Sequence, residues 1–153
     1  MSSVFNSPFE ISLRILLALE VADDQWQTAD ILAVADFITV YSKDFGISDK
    51  NLHGENNYKF SEFALRRELV HKSIKLLVLD DLINISSTEK GFSFSINPKG
   101  LEYCSKFENA YADAYRDLAK QVRSFISDKS ERETLELINR RSITSLQRRE
   151  IDD

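Results

Sequence analysis

Arg66 stands between two apolar rows of one helical segment, where a guanidinium must be paired or must reach water along its stem. A buried pair with an acid such as Asp36 or Glu20 is the structural reading, and contact with a partner protein or nucleic acid is the functional one. Arg14 sits in a second apolar segment and has Glu10 four residues before it as its expected partner. Arg67, His71 and Lys75 recur at spacings of four with Lys72 alongside, a row that suits the DNA major groove if the segment is a recognition helix. Lys90, at an expected hairpin tip, would then touch phosphate. A solvated charged face competes with this reading, because Glu62 and Glu68 share the helix. Nor is positive charge concentrated there. Residues 1–60 carry 4 positive and 9 negative side chains, residues 61–100 carry 6 and 5, and the rest carry 10 and 11.

Catalytic groups are sparse. His53 and His71 have no Ser or Cys beside them in a nucleophile motif, and the sequence contains no GxxxxGK, GxGxxG or GxSxG. Asp23-Asp24 and Asp80-Asp81 imply no third or fourth metal ligand. The expectation is a protein that is not an enzyme, with no catalytic, cofactor-binding or metal-ligating residues and no cofactor. Net charge −5 argues against a polyanion as the dominant partner, and the single Cys104 excludes an internal disulfide framework. No apolar run reaches the roughly 18–20 residues of a membrane helix, and Met1 to Phe9 lacks signal-peptide character, so a reducing cytoplasmic location is expected.

The elements that would carry these residues follow from spacing. Ser7-Pro8-Phe9-Glu10 reads as a capping box opening a helix to about Ala22 that is apolar around its whole circumference. A second helix is expected from Thr28 to about Tyr41, then a polar loop from Ser42 to Lys59 holding Asn51 and His53. A third, capped by Ser61, runs to about Leu79 with two apolar rows, Phe63, Val70, Ile74 and Leu77 in one and Leu65, Leu69 and Leu76 in the other. The period then switches to two over Leu82–Ser86 and Phe92–Ile96, which predicts a hairpin.

Asn97-Pro98 opens a long helix expected to reach Ser127, with a heptad-like seam of Leu101, Cys104, Glu108, Tyr111, Tyr115, Leu118, Val122 and Phe125. Ser130 to Glu133 is a second capping box, opening a shorter helix. The fold class this predicts is mainly α: a winged helix-turn-helix domain with a two-stranded β-hairpin wing over residues 1–100, a C-terminal helical extension over 101–147 packed on the core or on a partner, and a frayed tail over 148–153. Excess apolar surface on the first helix and the late seam nominates Phe9, Ile11, Leu16, Tyr111, Tyr115, Leu118, Val122 and Phe125 as a partner-binding face.

Several segments resemble the middle component of bacterial ABC-three-component systems of the Lamassu-like defence type. They are Phe5 to Glu10, Asp44-Phe45-Gly46, Asn51 to Asn56, Phe60 to Leu69 and Tyr111 to Arg116. The resemblance implies a noncatalytic adaptor that joins an SMC/Rad50-like ABC ATPase to an effector in antiphage or antiplasmid defence. It leaves a homodimer and a secondary DNA contact open. The reading of the residues also retains a second class of protein, a winged-helix DNA-binding regulator using Arg67, His71, Lys72, Lys75 and Lys90.

Overall fold

Helix α1, Pro8–Ala22, begins as its sequence dictates: the Ser7 hydroxyl accepts from the Glu10 backbone N–H at 3.2 Å, with Pro8 in the first turn. The computed structural model describes residues 7–23, 25–54, 63–89 and 91–152, with side chains as far as residue 141. Because α1 is apolar all round it takes the central position, lying against α2, α3, α4, α5 and β3.

Thr28 caps α2, Ala29–Val40, accepting from the Ile31 N–H at 3.2 Å. Just before it a two-residue strand, β1 (Gln27–Thr28), pairs antiparallel with β3. Two residues are too short for any alternation to show in the sequence. After α2 a 3-10 turn, Ser42–Phe45, closes on Gly46 at φ 73°, a left-handed conformation glycine adopts without a Cβ clash. Asn51 Oδ1 accepts from the Lys43 N–H at 3.0 Å and folds the loop back.

Helix α3, Phe63–Leu79, ends where Asp81 takes φ 60°. Part of the acidic pair 80–81 thus serves a turn, since Asp tolerates the left-handed region. Ser61, expected to cap α3, lies outside the described residues. Strands β2 (Ile83–Thr88) and β3 (Gly91–Ile96) form the hairpin, giving a three-stranded sheet of order β1-β3-β2. Ile83 faces Ile96 and Ile85 faces Phe94 on one side of the ladder. That side is buried at its base and emerges toward the tip, where Ile85 and Phe92 are exposed.

The expected single helix over 98–127 is two. Helix α4, Pro98–Cys104, is capped by Asn97, and α5, Ala110–Ile126, is capped by Asn109, whose Oδ1 accepts from the Ala112 N–H at 2.8 Å. Asn favours the cap over the helix interior because its side chain competes for backbone hydrogen bonds. The seam read through this break: Cys104 is buried and Leu101 exposed. Helix α6, Glu131–Asp152, starts at the predicted box, Ser130 Oγ accepting from the Glu133 N–H at 3.1 Å. Its backbone stays helical through Asp152, past residue 147 where fraying was expected. Helix α5 lies against α1 and α2, and α6 against α2.

This packing corrects the proposed partner face. Ile11, Leu16, Tyr115 and Val122 are each no more than 1% exposed within the single chain. The chain supplies its own walls for α1, chiefly α3 and α5, so these four are core. Tyr111, Leu118 and Phe125 are half-buried, and of the eight only Phe9 is largely exposed.

Gly100 marks a tight approach: a Cβ there would collide with the Leu82 carbonyl oxygen and meet Ile96 at 2.8 Å. Gly100→Ala is expected to cost about 1–3 kcal/mol by overpacking. A urea midpoint equal to wild type would show that α4 can stand off the hairpin base.

Candidate functional site

The polar chemistry of the described residues converges on Asp36. It projects from α2 into the interior and is 2% exposed. From α1, Arg14 donates from Nε to Oδ1 at 2.9 Å and from Nη2 to Oδ2 at 3.2 Å, a two-pronged pair whose members are both buried. From α5, the Tyr115 hydroxyl donates to Oδ1 at 2.8 Å. From α3, Arg66 brings Nη2 to 3.9 Å from Oδ2 and donates from Nη1 to the Tyr41 hydroxyl at 3.3 Å. The Arg66 guanidinium also lies over the Phe37 and Tyr41 rings, at 5.7 and 5.4 Å from their centroids.

Arg66 therefore has the partner expected of it. Arg14 does not: its carboxylate is Asp36 across the helix interface, because α1 buries its Arg14 side and the interior must compensate the charge there. Glu10 instead lies in the first turn of α1, where its N–H meets the cap.

Burial alone would push the Asp36 carboxyl up, but Arg14, Arg66 and the Tyr115 hydroxyl together hold it below the ordinary carboxylate value. Burial and the negative charge of Asp36 push the Tyr115 hydroxyl well up. His53 closes the outer side: its Nε2 and the Tyr111 hydroxyl are 2.7 Å apart, the two rings stack, and the imidazole meets Tyr41 edge-on. Burial, then the charge of Arg14, lowers His53 to about 3, and burial raises Tyr111 to about 12. A neutral imidazole thus faces a neutral phenol at neutral pH.

The segment Tyr111 to Arg116 carries three of these ties. Tyr111 meets His53, Tyr115 meets Asp36, and Arg116 donates to Glu20 Oε1 and to the carbonyls of Phe107 and Cys104, all within 2.8 Å. Arg116 thereby pins the break between α4 and α5 onto α1, a role its sequence position does not announce. Cys104 is buried under this staple, its thiol pushed up to about 12 by burial, which makes it unreactive.

Where α1 meets α5 a cleft of about 390 Å³ opens, lined by Glu10, Leu13, Arg14, Leu17, Phe107, Asn109, Tyr111 and Ala112. It brings Tyr111 together with two residues expected to be structural, Glu10 and Arg14.

The nominated DNA-binding residues on α3 are divided. Arg67 makes a two-pronged pair with Asp30 of α2, both contacts at 2.7 Å, and His71 lies 3.5 Å from the same carboxylate. Among the described residues Lys72 reaches only Glu68, at 4.0 Å, and Lys75 is exposed. Lys90 lies outside the described residues. An acid on the neighbouring helix has claimed half of the basic row.

The fold and its interior together define a mainly helical domain with a small antiparallel sheet, organised by a buried ion cluster drawn from four helices. A family model described as "ABC-three component (ABC-3C) system Middle Component 2" matches residues 4–148, and the chain belongs to that family. No curated protein and no solved structure matches it.

Asp36→Asn leaves Arg14 buried without its carboxylate and is expected to cost roughly 3–5 kcal/mol in urea unfolding, whereas an Arg14→Met/Asp36→Leu double variant should lose far less. Stability should also fall as pH drops. His53 titrates near 3 when folded and near 6.5 when unfolded, so between those values the unfolded chain binds more protons and acid favours it. This contribution is whole above about pH 6.5 and is lost toward pH 3, with Asp36 adding a further loss only below 3.8. Melting temperatures across a pH series check this, and His53→Gln should flatten the upper part of the curve.

Proposed function

We propose that the chain is a noncatalytic adaptor in an ABC-three-component assembly of the Lamassu-like type, acting in antiphage or antiplasmid defence in the cytoplasm. In this reading it joins an SMC/Rad50-like ABC ATPase to an effector through protein contacts. The observation that carries it is family membership across residues 4–148.

A winged-helix architecture is part of the proposal. The order α1-β1-α2-α3-β2-β3, with β3 in the middle of the sheet, supports it. Among the described residues no helix is long and apolar enough to cross a membrane, consistent with a cytoplasmic assembly. Direct DNA reading by α3 is the weaker alternative, since Arg67 and His71 already meet Asp30.

Co-expression of the tagged chain with the other two components of its system is the test. A single assembly that contains all three, and that loses the ATPase–effector link when this chain is omitted, is expected. An ATPase and effector that associate equally well without it would refute the adaptor role. Steeply salt-dependent retention on duplex DNA, abolished by neutralising Lys72 and Lys75, would favour the regulator instead.

A further inference from the structure

We infer that the outer face of α3, the row Leu65, Leu69, Lys72, Leu76 and Leu79, docks an amphipathic helix from another polypeptide that carries a carboxylate opposite Lys72. This deepens the adaptor reading and rests on it for the source of the helix.

The two apolar rows of α3 have opposite fates. Phe63, Val70, Ile74 and Leu77 are buried against the core, whereas Leu65, Leu76 and Leu79 are 60, 46 and 80% exposed. Leu69, between them, is half-buried. The row steps by four, three, four and three residues, the spacing by which one helix presents a continuous seam to another. Its 14 steps at 1.5 Å make it about 21 Å long, enough for four turns of a partner helix. The first turn of α1 lies beside α3, where Ser73 donates to the Pro8 carbonyl at 3.3 Å, and Phe9 in that turn is 64% exposed. Three leucines this exposed along one helix, with Lys72 between them, mark a binding face.

Charge decides the occupant. Lys72 lies at the middle of the row, and among the described residues its carboxylate partner is Glu68, 4.0 Å away with both side chains about two-thirds exposed, a pair of little worth that leaves the ammonium available. Lys75 adds a second positive charge on the flank. A second copy packed about a twofold axis at the centre of the row would set Lys72 against Lys72, which repels. Leucines, in turn, offer nothing to phosphate. A helix with apolar side chains at matching intervals and Asp or Glu at its centre satisfies both the row and the cation.

The test co-expresses the full chain with the other two components of its system and measures capture by the tagged chain. Leu65→Glu/Leu76→Glu should lower capture at least tenfold with an unchanged melting temperature, because both side chains already face water. Leu79→Glu, at the most exposed position, provides a second variant if the first folds poorly. Lys72→Glu should lower capture similarly and Lys72→Met several-fold. Capture of both components by the leucine variants at the wild-type level overturns the docking face and leaves the adaptor role standing. Failure of the wild-type chain to assemble overturns both. Tighter capture by Lys72→Met overturns the acidic partner. An isolated chain that dimerises at micromolar concentration, and becomes monomeric on Leu76→Glu, assigns the row to a second copy and overturns the proposal.

Discussion

A charged side chain buried in the middle of the central helix is the constraint from which the rest of this structure follows. Removing Arg14 from water costs several kcal/mol unless a carboxylate with good geometry accompanies it, and Asp36 on α2 is that carboxylate. One carboxylate between two guanidinium groups then orients everything around it. Tyr115 ties α5 to it by a hydrogen bond, and Arg66 brings a second charge from α3 to within 3.9 Å. Such a cluster adds little net stability compared with a well-packed apolar core, but it accepts few alternative arrangements of the four helices. Slipping one helix by a turn would strand a charge.

Much of the architecture was legible because it rests on local rules. Ser7, Asn97 and Ser130 cap the helices they precede, and the switch of period after Asp81 marks the hairpin. The break at 105–109 was hidden by a seam that runs through it in register, though Asn109 announced it. Strand β1 was hidden by its length. Arg66 drew attention as a charge in an apolar arc, and Asp36 was among its expected partners. The same logic failed for Arg14 because Glu10 stood at a convenient spacing, and sequence distance says nothing about which helix will cross at that level.

Which apolar surface faces outward was the larger misreading. The number of hydrophobic residues on α1 and α5 is more than one chain would be expected to hide, yet α1 is covered chiefly by α3 and α5, and α5 packs on α1 and α2. The second row of α3 was visible in the spacing from the start. Nothing in the sequence ranks two rows on one helix by burial, since that depends on which side α1 occupies. Surface that one chain hides from water is surface no other chain can read.

The placement of α5 has a consequence for how the protein is made. Tyr115 and Ala112 complete the wall of α1, but they lie about a hundred residues further along the chain. A ribosome that has delivered the first hundred residues has released a greasy rod with one side bare and a charge cluster lacking its last hydroxyl. Enclosure of α1 therefore waits on the final third of the chain, and apolar surface left bare until then is of the kind that promotes aggregation.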